Sequence, residues 1–287
     1  MKKVIVCDSG LGGLNIASRF FARDAVWERE PCELIYFNAY PAPDCGFNKL
    51  ASEREQEELF REVLEGMKKF SPDLCLIACN TLSIVYERLK GWYTPAFEVA
   101  GIVDVAVNGM TAVLREEPGS SVLILGTKST VESGVYADRL TGAGIGAERI
   151  RGLGCPGLAT LMESDPASVE VQRSIAAYAK EAAGLFDREP QKLFCALCCT
   201  HFGFAAGIWQ REFAARFSSF GGLIDPNGLL NTGFKAASFS YHSRISFFPG
   251  ARESMSLYFE KTSPAISAAL KKASAEPDLF KFTRESM

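Results

Sequence analysis

Leu74-Cys75-Leu76-Ile77-Ala78-Cys79-Asn80-Thr81 is the stretch of sequence from which the fold can be worked out. An apolar run over 74–78 ends abruptly in a thiol, an amide and a hydroxyl, and a segment with helical character follows from Ser83 to Leu89. This pattern is typical of a buried parallel strand, and open α/β sheets hold ligands at the carboxyl ends of such strands. We therefore expect Cys79 to lie at a ligand site.

A second copy of the arrangement lies in the other half of the chain. Leu193-Phe194-Cys195-Ala196-Leu197-Cys198 is another apolar run, and it leads into Cys199-Thr200-His201. Two cysteines that each follow a buried strand, one in each half, indicate two thiols that face one site.

Strands and helices alternate along most of the sequence. Such alternation is typical of parallel sheets whose strands are joined by crossover helices, so the fold class is α/β. We predict two similar Rossmann-like lobes with the active site in the cleft between them. Ser52 is the expected N-cap of a helix that extends to Phe70. In the C-terminal part the sequence predicts a helix over 226–239, a strand over 254–259 and a terminal helix over 264–273.

Composition and charge exclude several classes of protein. The 287 residues are 47% hydrophobic, and 31 basic and 34 acidic residues give a formal net charge of -3 without any basic block. No nucleic acid and no anionic membrane surface is therefore expected as a partner. The apolar run after Lys2 and Lys3 stops at Asp8, before a signal peptide or membrane span would be complete. We expect a cytoplasmic protein.

The nine cysteines do not form a pattern of disulfides or metal ligands. A secreted disulfide framework does not fit a chain of this length without a signal peptide. No paired C-x-x-C motifs occur, and His201 and His242 are the only histidines, so no metal site is expected. The loop Gly10-Leu11-Gly12-Gly13 does not meet the G-x-G-x-x-G dinucleotide fingerprint and is weak evidence for a nucleotide.

Cys79 and Cys199 are the candidates for chemistry. A free thiol has a pKa of about 8.5, which a helix N-terminus or a cation can lower, so that it takes and returns a proton near neutral pH. Asp8 and His201 each lie where they could orient or deprotonate one of these thiols. The alternatives are structural: a buried cysteine can be a small apolar residue, Asp8 a helix N-cap, and His201 a hydrogen-bonded turn residue.

Several motifs together resemble the glutamate racemases, which belong to the cofactor-independent aspartate/glutamate racemase superfamily. They are Asp8-Ser9-Gly10-Leu11-Gly12-Gly13-Leu14, Ala78-Cys79-Asn80-Thr81, Thr127 with Ser129 to Tyr136, Cys155-Pro156, and Cys199-Thr200-His201-Phe202. They occur in the order found in that family, across roughly residues 4–226. The resemblance implies two pseudo-symmetric parallel-sheet lobes, one formed by 1–98 plus 208–287 and the other by 99–207.

The resemblance also implies a reaction and a set of roles. The activity would be racemisation of an amino acid without a cofactor, with Cys79 and Cys199 on opposite faces of the substrate Cα. Asp8 and His201 would assist the thiols, and Glu163 would support His201. The residues implied to hold the amino acid are Ser9, Asn80, Thr81, Thr200, Cys45 and Gly46. The expected partner is thus an amino acid or a related carboxylate, and a homodimer is left open as the assembly.

The sequence departs from the family in the loop that binds the substrate. Glutamate racemases carry a Pro-Tyr-Gly loop after the second strand, and this chain has Pro43-Asp44-Cys45-Gly46 in its place. An acidic amino acid is the expected substrate, and another amino acid or a related acid is an alternative. Two other functions remain open. The chain could be a non-catalytic or diverged member that binds a small carboxylate, or a related isomerase or decarboxylase that uses the same cysteines.

Overall fold

The computed structural model describes residues 1–22, 29–230 and 233–283. The chain divides into two compact units, Met1–Ile102 with Asn231–Met287 and Val103–Leu230. The parts of the predicted lobes at 23–28, 231–232 and 284–287 lie outside the described residues. No helix in the described part of the chain is both long and apolar enough to span a lipid bilayer.

Strands and helices alternate through both units, as the sequence predicts. The first segment holds β1 (Lys2–Asp8), α1 (Leu14–Arg19), β2 (Glu30–Asn38), α2 (Glu53–Met67), β3 (Leu74–Ile77), α3 (Asn80–Leu89) and β4 (Glu98–Gly101). The middle of the chain holds α4 (Ile102–Glu116), β5 (Ser120–Gly126), α5 (Lys128–Glu132), α6 (Val135–Gly142), β6 (Ile150–Gly154), α7 (Leu158–Ser164), α8 (Val169–Ala183), β7 (Lys192–Cys198), α9 (Ala206–Arg216), β8 (Phe220–Ile224) and α10 (Pro226–Leu229). The chain then returns to the first unit with β9 (Phe234–Ser243), α11 (Pro249–Phe259) and α12 (Pro264–Lys272).

The first unit is built on a five-stranded parallel sheet with the strand order β4-β3-β1-β2-β9. Within it Cys7 is paired with Ile77 of β3 and with Phe37 of β2. Because the strands are parallel, their carboxyl ends share one edge of the sheet, where Asp8 lies opposite Asn38. The residues that follow β1, β2 and β3 are thereby placed at that edge.

The helix α2 shows how local sequence fixes an element against this sheet. The hydroxyl of Ser52 accepts a hydrogen bond from the backbone N–H of Glu55 at 3.2 Å, and the Glu55 carboxylate accepts one from Ala51 at 2.9 Å. This reciprocal cap satisfies one of the N–H groups that a helix start leaves open and ties the residue before the N-cap to the first turn. The predicted N-cap at Ser52 is confirmed. The inner face of α2 buries Phe60, Val63 and its other apolar side chains in a core shared with β1, β2, β3 and α3.

The second unit contains a four-stranded parallel sheet with the order β6-β5-β7-β8. Strand β7 is central, with Cys198 opposite Gly126 of β5. The side chains of α7, α8 and α9 pack with β5, β6 and β7 in one core, in which Trp209 and Phe213 are fully buried. Two parallel sheets with crossover helices confirm the predicted α/β fold class.

The division between the units differs from the lobes expected from the sequence. Residues 208–230 were assigned to the first lobe, but they contain β8, which pairs with β7 of the second sheet. The second unit accordingly continues to Leu230. At the other boundary, β4 pairs with β3, which keeps Glu98–Gly101 in the first sheet.

Two predictions in the C-terminal part were wrong. The helix predicted over 226–239 is the short α10 and the start of β9, and residues 231–232 between them lie outside the described part. The strand predicted over 254–259 belongs to the helix α11. Met255 and Phe259, four residues apart, are buried while Leu257 is 59% exposed, which is a helical pattern of burial. The terminal helix is confirmed as α12.

Candidate active site

The first unit presents Asp8, Ser9 and Cys79 at the carboxyl edge of its sheet. Asp8 is the last residue of β1, and Cys79 comes two residues after the end of β3, the strand next to it. Cys79 has an extended backbone, with φ −65° and ψ 125°, and serves as the N-cap of α3. The turn from strand to helix therefore carries the thiol out of the sheet and leaves it at the start of a helix.

The thiol of Cys79 contacts the hydroxyl of Ser9. The two atoms, Sγ and Oγ, lie 3.1 Å apart, and either can donate the hydrogen bond. Cys79 is 8% exposed, and this burial, followed by the negative charge of Asp8, raises the pKa of its thiol to about 12. The Ser9 hydroxyl and the backbone N–H groups of Leu82 and Ser9 act in the opposite direction but do not outweigh them. In the ligand-free protein Cys79 is a neutral thiol at neutral pH.

Asp8 is held close to the loop that follows it. Its side chain is almost fully buried, at 1% exposure. A Cβ atom at Gly13 would lie 2.8 Å from the Asp8 Cβ and 2.9 Å from its Oδ2. The loop can pass this close only because residue 13 has no side chain. Gly13 is therefore a site residue that the sequence analysis did not identify, although the Gly12-Gly13 pair was visible in the sequence.

Asn80 and Thr81 open α3 directly after the thiol. Asn80 is buried and Thr81 is partly exposed. The N-terminus of this ten-residue helix directs backbone N–H groups towards the carboxyl edge of the sheet. Such a helix start is a suitable place for an anion, including the carboxylate of an amino acid.

Cys45 and Gly46 lie in the loop that follows β2. Cys45 is partly exposed and forms an isolated bridge with Ala42. Gly46 lies against an aromatic ring, because a Cβ at this position would be 3.3 Å from Oη of Tyr40. Tyr40, two residues after the end of β2, is thus a neighbour of Gly46 in this loop.

The second unit presents a cysteine, a histidine and a carboxylate in series. Sγ of Cys199 lies 3.8 Å from Nδ1 of His201, and Nε2 of His201 lies 2.8 Å from Oε1 of Glu163. Cys199 follows β7, His201 lies in the 3-10 turn Thr200–Ala205, and Glu163 comes from α7. The structure therefore brings together the thiol, the histidine expected to assist it and the glutamate expected to support that histidine. Glu163 and His201 are 38 positions apart in the sequence.

The imidazole of His201 is buried and yet favours its protonated form. Burial alone lowers its pKa, but the hydrogen bonds with Cys199 and Glu163 and the charge of Glu163 hold the pKa well above its usual value. A ring nitrogen bonded to a carboxylate is expected to carry a proton, which leaves Nδ1 to exchange one with the sulfur. The arrangement can accept a proton from Cys199 and hold it on the ring.

The remaining predicted residue, Thr200, is 3% exposed and lies between Cys199 and His201 in the same turn.

Most of the other strand cysteines behave as buried apolar residues. Burial raises the pKa of Cys7, Cys195 and Cys198 above the ordinary thiol value, and these side chains are fully buried. They therefore differ from Cys79 and Cys199, which keep a small exposed surface.

All nine cysteines are free thiols. Within residues 1–22, 29–230 and 233–283 no three His, Cys, Asp or Glu side chains are grouped so that they could hold a metal ion. The thiols, the imidazole and the carboxylates at the two sites are groups that can donate and accept protons.

Comparison with known proteins finds glutamate racemases similar to this chain in sequence. Glutamate racemase from Lysinibacillus sphaericus is 28% identical over 159 residues, which cover 55% of this chain and 55% of the relative. Glutamate racemase from Aquifex aeolicus is 26% identical over 206 residues, with 70% and 71% covered. The match thus spans about half the length of the first of these curated relatives. No family model matches the sequence.

The fold is similar to that of a solved glutamate racemase. The crystal structure of glutamate racemase isoform RacE1 from Bacillus anthracis superposes with a TM-score of 0.69 at 17% identity and covers 90% of this chain and 94% of that one. The resemblance that the sequence motifs indicate is confirmed by these matches in sequence and in fold.

Proposed function

We propose, from the similarity of this chain to glutamate racemases in sequence and in fold, that it is an amino-acid racemase that moves the Cα proton between two thiols without a cofactor. The observation that carries the proposal is the repeated strand-end cysteine, Cys79 after β3 and Cys199 after β7, each with its own partners for proton transfer. Inverting a stereocentre by proton transfer needs a base on one face of the carbon and an acid on the other.

Cys199 is suited to act first as the base. His201, beside its sulfur, can take the thiol proton, and Glu163 compensates the charge of the resulting imidazolium. The ion pair formed in this way is a thiolate next to a cation. A thiolate, unlike a thiol, can remove a proton from carbon.

Cys79 is suited to act first as the acid. Burial and Asp8 raise the pKa of its thiol to about 12, so that it holds a proton at neutral pH. The ammonium group of a bound amino acid would offset the charge of Asp8 and make the proton easier to release. In the reverse reaction Asp8, at the end of the adjacent strand, is the residue placed to help Cys79 become the base.

The reaction balances without any other reactant. The Cys199 thiolate takes the Cα proton, and the electron pair of the C–H bond moves onto the substrate carboxylate. The Cys79 thiol then delivers its proton to the opposite face of the carbon, and the C–H bond forms again with inverted configuration. The mechanism requires that both thiols reach one carbon. After the step Cys199 holds a proton and Cys79 is a thiolate, and exchange of these protons with solvent restores the starting state.

The substrate that we propose is an amino acid, with an acidic side chain as the first candidate. Its α-carboxylate would be held at the N-terminus of α3 by Asn80 and Thr81, with Ser9 and Thr200 as further polar contacts. The loop with Cys45 and Gly46 faces the side chain in this proposal. Because its sequence departs from that of glutamate racemases, a different side chain or a binding role without turnover is the second candidate. Nine free thiols suit a reducing compartment, and we propose the cytoplasm.

The decisive experiment is deuterium exchange at Cα. Each amino acid is incubated with the protein in heavy water, and loss of the Hα signal is followed by proton NMR together with chiral analysis of the product. We expect exchange and racemisation of one amino acid above the rest. Binding of a carboxylate without any exchange across the twenty amino acids and their enantiomers would favour the non-catalytic alternative and overturn the racemase proposal.

A further inference from the structure

A serine, a histidine and a glutamate stand in series at the edge of the first sheet, in a cluster that the racemase proposal does not use. Oγ of Ser240 lies 3.1 Å from Nε2 of His242, and Nδ1 of the same ring lies 2.8 Å from Oε1 of Glu276. The histidine and glutamate side chains are 22% and 36% exposed, and Ser240 is partly exposed. Small molecules can therefore reach the cluster.

The fold holds the three residues in place from two directions. Ser240 and His242 are two apart on β9, so their side chains emerge on the same face of the sheet. The backbone N–H of Glu276 donates to Ser243 O at 2.9 Å, which fixes the segment that carries the carboxylate beside the end of β9. The ring of Phe70 packs on the imidazole with 4.6 Å between ring centroids. The histidine is thus fixed in orientation by its carboxylate and by an aromatic side chain.

This order of atoms is the one that activates a serine. A carboxylate that accepts the Nδ1 proton leaves Nε2 as the unprotonated nitrogen, and Nε2 is the atom that contacts the hydroxyl. We propose that Ser240 is a nucleophile activated by His242, with Glu276 as the positioning residue, and that this cluster transfers the acyl group of small uncharged esters. The proposal is independent of the racemase proposal, because none of the three residues belongs to the sites of Cys79 or Cys199.

The chemical step is an ordinary acyl transfer. Ser240 Oγ forms a bond to the carbonyl carbon of the ester while its proton passes to His242 Nε2. The bond between the carbonyl carbon and the alcohol oxygen then breaks, and the alcohol leaves with that proton. Water, deprotonated by the same nitrogen, attacks the acyl-serine and releases a carboxylic acid. Ester and water become acid and alcohol, and the protein is unchanged.

The position on an outer strand supplies the other requirement of this chemistry. β9 is the last strand in the order of the first sheet, and it pairs with β2 along one side. Alternate residues of such a strand direct their backbone N–H groups away from the sheet, and one of them, on Ala236, donates to Phe20 O. The Ala236 N–H is already bonded, so in this proposal an N–H of β9 closer to Ser240 holds the carbonyl oxygen as it becomes negative. The apolar face of Phe70 favours an uncharged acyl group over a charged one.

The test is labelling of the wild-type protein with a fluorophosphonate, which reacts with activated serines. Intact mass spectrometry and peptide mapping should show one adduct per chain, located on Ser240. Ser240→Ala should remove the adduct, and His242→Gln should slow labelling by on the order of 100-fold, the contribution of a general base. Glu276→Gln should slow it as well, and Glu276→Asp, which keeps the carboxylate, should restore part of the rate.

Ser238 provides the matched control, because it lies two residues before Ser240 on the same strand and is exposed. Ser238→Ala should label like the wild type and should hydrolyse p-nitrophenyl acetate at the same rate, whereas Ser240→Ala should lose the serine-dependent part of that hydrolysis. The Cα exchange of amino acids should be unaffected by either substitution, which separates this proposal from the racemase. Absence of an adduct on Ser240 in the folded wild type, or an adduct spread over exposed serines, would overturn the proposal and leave the cluster as an anchor of the C-terminal segment.

Discussion

Sγ of Cys199 lies 3.8 Å from Nδ1 of a buried histidine, His201, whose far nitrogen is held by a carboxylate. The other thiol, Cys79, contacts a hydroxyl at 3.1 Å and has its pKa raised to about 12, first by burial and then by Asp8. The two cysteines therefore occupy chemically different surroundings, although the strands that carry them are similar. This difference makes each site testable by itself.

Asp8→Asn should lower the pKa of the Cys79 thiol. The substitution removes the charge that is the second cause of the raised pKa and leaves the burial, so the pKa should fall from about 12 without reaching the value of a free thiol. The measurement is the pH dependence of iodoacetamide alkylation at Cys79, read by quantitative mass spectrometry of its peptide.

Asp73→Asn is the control for that experiment. Asp73 precedes β3 at its amino end and accepts a hydrogen bond from the backbone N–H of Lys3. The same change of charge is therefore made at the end of β3 that lies away from Cys79. This variant should leave the alkylation profile unchanged. A profile that is the same for Asp8→Asn and for the wild type would show that burial alone sets the reactivity of Cys79.

Glu163→Gln should lower the pKa of His201. Burial, which opposes protonation, remains, while the carboxylate that favours it is lost. The imidazole nitrogens can be followed by 1H–15N NMR against pH, because the chain has only two histidines. His242, whose partners do not change, is the internal reference.

The same substitution should alter how stability depends on pH. Because the pKa of His201 in the folded protein is raised, its protonation stabilises the fold fully below the unfolded-state pKa of about 6.5. That stabilisation is lost as the pH rises through the folded-state pKa. The free energy of unfolding, measured with urea, should fall between pH 6 and pH 9, and the fall should be larger for the wild type than for Glu163→Gln. Equal losses would mean that Glu163 does not favour the protonated ring.

Sequence patterns predicted the parts of the site that follow central strands. An apolar run that ends in a polar residue marks the carboxyl end of a parallel strand, which is how Asp8, Cys79 and Cys199 were located. Contacts between residues on neighbouring strands have no corresponding pattern in the sequence. The 3.1 Å contact of Ser9 with Cys79 and the close approach of Gly13 to Asp8 depend on how the loop after β1 passes β3, and spacing along the chain does not encode that path.

The C-terminal part shows why the remaining elements were misassigned. Met255, Leu257 and Phe259 alternate with polar residues or follow them closely, as in a strand, yet they belong to α11. Packing of α11 against α12 decides the outcome, since it buries Met255 and Phe259 and leaves Leu257 in solvent. In the same way β9 forms because it pairs with β2, which lies about 200 residues earlier in the chain. Asn38 of β2, for example, is paired with Ser243 of β9. Local propensity could not reveal that partner.

Gly13→Ala should destabilise the protein and disturb Asp8. The backbone at Gly13 is right-handed, with φ −63°, so alanine is tolerated there, but its Cβ would lie 2.8 Å from the Cβ of Asp8. Overpacking of this kind costs about 1–3 kcal/mol. The measurement is the midpoint of urea unfolding together with the rate of Cα exchange, and both should fall.

Gly207→Ala is the matched control for the glycine substitution. Gly207 is exposed in α9, and a Cβ there would meet nothing within 4 Å. Gly207 is the second residue of α9, so the helix-interior preference for alanine, roughly 0.5–1 kcal/mol, applies at most in part, and this variant should unfold at or slightly above the wild-type urea concentration. If Gly13→Ala unfolded at the same urea concentration as the wild type, the loop would be free to move away from Asp8.

Cys45→Tyr should raise activity on glutamate, on which we expect the wild type to be poor. The substitution restores the tyrosine of the Pro-Tyr-Gly loop to which this stretch is similar. A hydrogen bond to a carboxylate contributes about 1.5–3 kcal/mol, which corresponds to roughly a 10- to 150-fold rise in kcat/KM. Cys45→Phe, which adds the ring without the hydroxyl, should not show the rise. Equal gains for both variants, or efficient glutamate turnover by the wild type, would contradict the specificity assigned to this loop.

Cys79→Ser and Cys199→Ser should each abolish racemisation. Every turnover needs one thiolate and one thiol, and serine is a far weaker acid, so it can neither supply the anion nor donate the proton as readily. The loss should be at least about 100-fold, the contribution of one general acid or base. The measurement is racemisation by chiral chromatography, with far-UV circular dichroism to show that each variant is folded.

Exchange of the Cα proton on one face of the substrate distinguishes the two thiols more sharply than the loss of racemisation does. A variant that keeps a single thiol can still remove and return the Cα proton on the face that this thiol serves. In heavy water Cys79→Ser should therefore exchange the Cα proton of one enantiomer only, and Cys199→Ser that of the other, without interconversion. Cys195→Ser, at a buried cysteine of β7 next to no proposed reactant, is the control and should retain both exchanges. Full racemisation by either Cys79→Ser or Cys199→Ser would exclude the two-base mechanism, because one remaining thiol cannot reach both faces of the same carbon.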